Sequence, residues 1–173
     1  EETLELSKLE SSESFNKNKK ISISDLVMES WQTLKPLAEK KDIKINLFIP
    51  TKYYISGDIE NLKRAFINIL DNSLRYSPTN EEIQIEIFKR DSSVVIRVRD
   101  KGIGLEENEY NDIFSRFYRG DPSRTKFKKS GSGLGLSITK KIINNNKGFI
   151  KAFNHKDGGA IVETIFPCIN TDI

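Results

Sequence analysis

The sequence predicts an α+β domain, built as a two-layer α/β sandwich. EIQIEIFK and VVIRVRD alternate apolar and polar residues along both arms of an expected hairpin, and GFIKAFNH with AIVETIF read as another. Three further segments carry apolar residues at helical spacing. The strands are grouped with these helices without strictly alternating with them, which is the pattern of a sheet packed on a helical layer. A chain of 173 residues suits one domain and buries roughly 70% of the surface its unfolded form exposes.

Leucines 4, 6 and 9 among glutamates suit the end of a helix too short to stand alone, and SFNKNKK follows as a polar linker. ISI at 21 to 23 alternates like a short strand. Ser24 or Asp25 then caps a helix with Val27, Trp31, Leu34 and Ala38 on one face, and Pro36 is expected to kink it or interrupt one bond. KINLFI and YYIS read as strands. Asp58 caps a second helix that ends before Ser77 and Pro78. The first hairpin turns across DSS. From Lys101 to Lys129 the chain is polar, basic and mostly irregular, broken by the apolar IFSRFY. A third helix places Leu134, Ile138 and Ile142 on one face and stops at NNNKG, and the last hairpin turns across KDGG.

No apolar run approaches the roughly 20 residues that span a bilayer, and EETLELSKLE lacks the basic end and apolar stretch of a signal peptide. Cys168 is the sole cysteine, which excludes an intrachain disulfide framework and a cysteine-cluster metal site; a reducing, cytoplasmic setting fits best. The formal charge of +3 is unevenly spread. Arg116, Arg119, Arg124, Lys126, Lys128 and Lys129 face a single Asp121 between positions 116 and 129, so the rest of the chain is net acidic. Such a segment is either a solvated basic loop or a place where a polyanion is held. It has no aromatic stacking platform or groove-reading motif beside it, and nucleic acid is not expected as a partner.

In NLKRAFINILDNSLRYSP, Leu62, Ala65, Phe66, Ile69 and Leu70 supply a core face, while Asn68, Asn72 and Arg75 recur at i, i+4 and i+7. This polar stripe is either an exposed face or a pair of amide oxygens aimed at a hard cation with an arginine beside them for phosphate oxygens. Asp100 falls where a strand stops, with Gly102 and Gly104 next. That is a plain turn, or a carboxylate that accepts from an exocyclic amine beside glycines that admit a flat ring. SGSGLGLS lacks the Lys-Ser/Thr of a P-loop, and no strand precedes it as a dinucleotide fingerprint requires. It is a glycine-rich loop opening a helix, where backbone N–H groups and the helix dipole favour an anion.

Taken in order, these blocks resemble the catalytic, ATP-binding domain of bacterial two-component sensor histidine kinases, in the superfamily of gyrase, heat-shock chaperone, histidine kinase and mismatch-repair ATPases. NILDNSLRYSP is similar to the N box, DKGIGL to the first glycine box, IFSRFYRGD to the phenylalanine box and GSGLGLSI to the second glycine box. The resemblance implies a Bergerat fold over residues 20 to 167: a mixed, mostly antiparallel sheet of about five strands plus a short strand pair, packed on three helices. Residues 1 to 19 resemble the end of the preceding dimerisation and phosphoacceptor helix with its linker, and 168 to 173 form a tail.

The resemblance further implies ATP and Mg²⁺ as ligands, with Asn72 coordinating the metal and Asn68 assisting. Arg75 and Tyr76 would face phosphates and ribose. Asp100 would receive the adenine amino group, with Gly102, Ile103 and Gly104 along the ring. Residues 105 to 135 would form an ATP lid, in which Arg116 or Arg119 reaches the γ-phosphate and Gly131, Ser132, Gly133, Leu134, Gly135 and Leu136 close over the triphosphate. Phe114 and Phe117 would anchor that lid in an apolar groove. Ser73 and Arg75 stand where alanine and lysine are common in the family.

Hydrolytic members of the superfamily carry a glutamate general base at the position of Asn68. An amide has no usable basicity near neutral pH, so slow hydrolysis and phosphotransfer to a histidine are expected. The implied partners are the kinase's own dimerisation domain and a response-regulator receiver domain. The full-length protein is expected to be a homodimer, often membrane-anchored in the family, with this domain in the cytoplasm. The only histidine, His155, lies in the final hairpin and reads as a structural or surface residue. No autophosphorylation is expected of this chain alone. The alternatives are a nucleotide-dependent regulatory module without catalysis and a slow ATPase of the same fold.

Overall fold

The computed structural model describes residues 19–118 and 133–169. Of the segment assigned to a preceding helix and its linker, 1 to 19, residues 1 to 18 lie outside the described residues and Lys19 opens the first strand; the middle of the expected lid, 119 to 132, lies outside them as well. The chain order is β1 (Lys19–Ser22), α1 (Ile23–Lys40), β2 (Lys44–Phe48), β3 (Tyr54–Gly57), α2 (Ile59–Tyr76), β4 (Glu82–Arg90), β5 (Ser93–Arg99), the short α3 (Glu109–Asp112), α4 (Gly135–Asn145), β6 (Phe149–Asn154) and β7 (Ala160–Pro167).

Five strands form one sheet in the order β2-β4-β5-β7-β6; β2 is parallel to β4, and every other pair is antiparallel. β1 and β3 make a separate antiparallel pair. Period-two burial decides which face meets the helices. Ile83, Ile85 and Ile87 of β4 and Val94, Ile96 and Val98 of β5 point into the core. There they meet Phe66, Ile69 and Leu70 of α2 and Ile138, Ile142 and Ile143 of α4. The three long helices thus cover one face, because each carries a single apolar stripe.

Two local expectations shift, the α1 cap and the first hairpin turn. Ser22, not Ser24 or Asp25, caps α1, accepting from the Asp25 N–H at 3.4 Å, because the β1–β3 pairing runs the extended chain up to Ser22 and Ile23 already opens the helix. α1 continues past Pro36 to Lys40. Pro36 and Gln32 lie on the exposed side, where the carbonyl that loses its partner can turn to water. The first hairpin closes with a two-residue turn, Asp91 and Ser92, since Ser93 already pairs with Arg90; Asp91 takes φ 55° as such tight turns require. Asp58 caps α2 as expected, accepting from Glu60 and Asn61 at 3.1 Å each. Pro78 ends that helix by holding Ser77 extended.

Candidate functional site

Asp100 leaves the end of β5 and is 8% exposed. Its Oδ1 accepts two backbone N–H groups, from Gly102 at 2.8 Å and Ala160 at 3.0 Å, and its own N–H donates to the Ala160 carbonyl at 3.0 Å. Among the described residues none bonds Oδ2, so that oxygen is left to accept from a ligand. Burial pushes the carboxyl above the usual aspartate range, against the two backbone N–H bonds and the Arg99 charge that oppose the shift.

Glycines make this geometry possible. Gly159, at φ +81°, lies so close that a Cβ there would sit 2.0 Å from the Asp100 carbonyl oxygen. A Cβ on Gly102 would come within 2.8 Å of the Tyr76 carbonyl. The C-terminus of α2 therefore presses directly on the Asp100 loop. Ser77, fully buried, reinforces the contact by accepting from the Lys101 N–H at 3.4 Å. Downstream, Asn154 of β6 binds Leu105 twice, accepting its N–H at 2.8 Å and donating to its carbonyl at 2.7 Å. Ile103 is exposed.

On α2, Asn68 donates from Nδ2 to the Gly135 carbonyl at 3.2 Å, which joins the polar stripe to the start of α4. Thr139 Oγ1 donates to the same carbonyl at 2.9 Å. Among the described residues no side chain caps α4. The Leu134 side chain is buried in the core and Leu136 packs against it, so contact of these residues with an anion falls to their backbone. Asn72 is half-buried one turn beyond Asn68, and Tyr76 is exposed at the helix end. Arg75 pairs with Asp71 at 2.7 Å, a contact across one helical turn. Among the described residues no cluster of three or more His, Cys, Asp or Glu could hold a metal. The donors that fit a hard cation here are the Asn68 and Asn72 amide oxygens, a set matching Mg²⁺ that keeps water and phosphate oxygens as its other ligands.

The segment after the Asp100 loop is tied at its base. Glu109, buried, accepts from the Tyr118 hydroxyl at 2.6 Å and the Glu106 N–H at 2.8 Å; burial and that carboxylate push the Tyr118 phenol well above its ordinary range. The Phe117 N–H donates to the Gly133 carbonyl at 3.0 Å, and Gly133 takes φ +73° against the Phe117 backbone. Phe114 is buried as expected. Phe117 is not: it is 64% exposed with φ 60°, because the bond to Gly133 dictates a backbone that turns its ring outward. Arg116 is exposed on this segment. Arg119, Gly131 and Ser132 lie outside the described residues. His155 closes the last hairpin, its Nδ1 accepting from the Asp157 N–H at 3.0 Å.

Sequence reasoning missed Gly159, Ala160, Asn154 and Ser77. The one signal present was the Gly158–Gly159 pair, which reads as a turn until the β5–β7 register brings it against Asp100.

The family described as histidine kinase-, DNA gyrase B-, and HSP90-like ATPase matches residues 57–169. The sensor-like histidine kinase SenX3 of Mycobacterium tuberculosis is 30% identical over 168 residues, 97% of this chain and 41% of SenX3. The chain thus spans about two fifths of that relative's length. Among solved structures, the mycobacterial sensor histidine kinase MprB superposes with a TM-score of 0.76 at 23% identity, over 87% of this chain and 97% of that one. Full-length ShkA in complex with AMPPNP gives 0.79 at 20% identity, over 98% and 35%. ThkA in complex with its response regulator TrrA gives 0.73 at 22% identity, over 97% and 47%. These likenesses show the fold, an α+β domain like the catalytic domains of histidine kinases. With its family signature covering most of the described residues, the chain belongs to the histidine kinase-, DNA gyrase B-, and HSP90-like ATPase family.

Proposed function

We propose that this domain binds Mg-ATP and donates the γ-phosphate to a histidine of a dimerisation domain, for onward transfer to a response-regulator aspartate. The observation that carries the reading is Asp100: a buried carboxylate whose Oδ1 accepts two backbone N–H groups and whose Oδ2 has no partner among the described residues. In this reading Oδ2 accepts from the adenine amino group. Gly102 and Gly104 allow the ring to lie along the backbone. Asn72 and Asn68 would hold Mg²⁺ through their amide oxygens, and the bound ion would supply neutralising charge for the phosphate oxygens. Arg75 exchanges its Asp71 partner for a phosphate oxygen on binding, and Arg116 and Arg119 supply positive charge from the lid. The backbone N–H groups of residues 131 to 136 cradle the triphosphate.

Asn68 cannot act as a general base toward water, so the domain positions ATP and leaves the nucleophile to another domain. A histidine nitrogen attacks the γ-phosphorus, the bond to the β–γ bridging oxygen breaks, and ADP leaves. ShkA with AMPPNP and ThkA with TrrA support the nucleotide and the partner by likeness. The test is calorimetric titration with AMPPNP and Mg²⁺ on the wild type, Asp100→Ala and Asn72→Ala. Both substitutions should weaken binding; unchanged affinity in both sinks the site. Adding the dimerisation domain in trans then separates a kinase, which phosphorylates its histidine, from a regulatory module, which binds ATP without transfer.

A further inference from the structure

The last carbonyls of an α-helix have no partner within the helix. At the end of α2 they are met by a side chain from a different helix. Lys41, the C-cap of α1, donates from Nζ to the carbonyls of Leu74 at 2.6 Å, Ser77 at 2.6 Å and Arg75 at 3.3 Å. Its backbone is fixed as well: the Lys41 N–H donates to Ala38 at 3.1 Å, and its carbonyl accepts from Asn80 at 3.0 Å. One residue therefore joins the end of α1, the end of α2 and the turn before β4. An ammonium suits this place, since its donors radiate toward converging acceptors while a guanidinium fork is planar. Its positive charge also meets the negative end of the α2 dipole.

The carbonyls that Lys41 gathers lie directly behind the nucleotide site. Tyr76, between two of them, presses its own carbonyl on Gly102, and Ser77 receives the Lys101 N–H. We propose that Lys41 is a positioning residue for nucleotide binding: it holds the Tyr76–Ser77 backbone against the Asp100 loop and so fixes where Asp100 Oδ2 points. The inference rests on the nucleotide reading of the site. Lys41 touches no ligand; it acts through Ser77, Lys101 and Gly102 on the adenine end.

The test compares wild type, Lys41→Met, Lys41→Arg and Asp100→Ala by calorimetry, with AMPPNP plus Mg²⁺ and with ADP without Mg²⁺, alongside thermal melts. Lys41→Met should bind both nucleotides about tenfold more weakly, since hydrogen bonds from a charged donor are lost and the loop behind the adenine loosens. Equal loss for the two ligands is the signature of an effect at the adenine end; a purely structural role would lower the melting temperature and leave affinity alone. Lys41→Arg keeps the charge but presents a planar fork to converging carbonyls, so it should recover only part of the loss, with an affinity between those of Lys41→Met and wild type. Cooperative melting of Lys41→Met with wild-type affinity, while Asp100→Ala loses binding, overturns the proposal and leaves the nucleotide site standing. Wild-type affinity in Asp100→Ala overturns the nucleotide reading and this proposal with it. Should Lys41→Met not melt cooperatively, Lys41→Gln is judged by the same criterion.

Discussion

Two of the buried carboxylates of this domain, Glu163 and Asp100, are treated in opposite ways. Glu163, in the middle of β7 on the sheet face away from the helices, has no exposed side-chain surface and receives three cations: Arg97 at 2.7 Å, Lys151 at 3.2 Å and Arg90 at 3.3 Å. Arg97 and Lys151 stand directly opposite it in the strand register. Asp100, one residue beyond β5, has no ion pair among the described residues and only backbone donors on one oxygen. Burial raises the pKa of both groups. At Glu163 the hydrogen bonds and charges of Arg97 and Lys151 outweigh it and bring the net value below the usual range; at Asp100 burial prevails. A paired buried carboxylate holds strands together. One kept buried with an open lone pair opposes folding, and that cost is consistent with use by a ligand.

Gly159→Ala should break the contrast most severely, because the added Cβ at φ +81° collides with the Asp100 backbone. We expect a loss of about 4 kcal/mol in denaturant unfolding together with loss of AMPPNP binding. Glu163→Gln should cost about 2 kcal/mol, because three half-exposed cations lose their anion and can relax only partly into water. Its nucleotide affinity should stay at the wild-type level. Asp100→Asn sharpens the comparison from the other side. The amide oxygen can still accept from Gly102 and Ala160, so stability should change by less than about 1 kcal/mol. Its –NH₂ then faces the adenine amino group, and calorimetry should show affinity falling about a hundredfold.

The smallest expected effects are in pH. Glu163 has a folded pKa below its unfolded value, so its contribution to stability is present above about pH 4.3 and is lost as pH falls through the folded value. Asp100 has a folded pKa above its unfolded value, and its unfavourable contribution is relieved as pH falls through the raised value. Acid unfolding of Glu163→Gln should therefore be flatter than wild type, and that of Asp100→Asn slightly steeper. Nucleotide affinity should decline on acidification as Asp100 Oδ2 takes a proton, starting above about pH 3.9, and the Asp100→Asn variant should lack that component.

Much of the fold was legible because its signals are local. Alternation in EIQIEIFK and VVIRVRD, the Asp58 cap and the Ser77–Pro78 stop each depend on residues within a turn or two of one another. The misplaced α1 cap and the first hairpin turn depended on pairing with other strands. Likewise, the stripe of Asn68, Asn72 and Arg75 could be read from spacing, whereas the Asp71 pairing of Arg75 and the outward turn of Phe117 depended on competing contacts that spacing does not rank.

By itself the sequence determined the chemical inventory of this protein: amides at one-turn spacing on a helix, a carboxylate at a strand end beside glycines, and a glycine-rich loop at a helix start. Only the tertiary structure decided how that inventory is held. Ala160 lies 60 residues from Asp100 and Lys41 lies 33 from Leu74, and such partners meet because of sheet register and helix packing. Backbone carbonyls and N–H groups, present at nearly every position, do most of the holding, and nothing in a residue's identity marks which of them will be used.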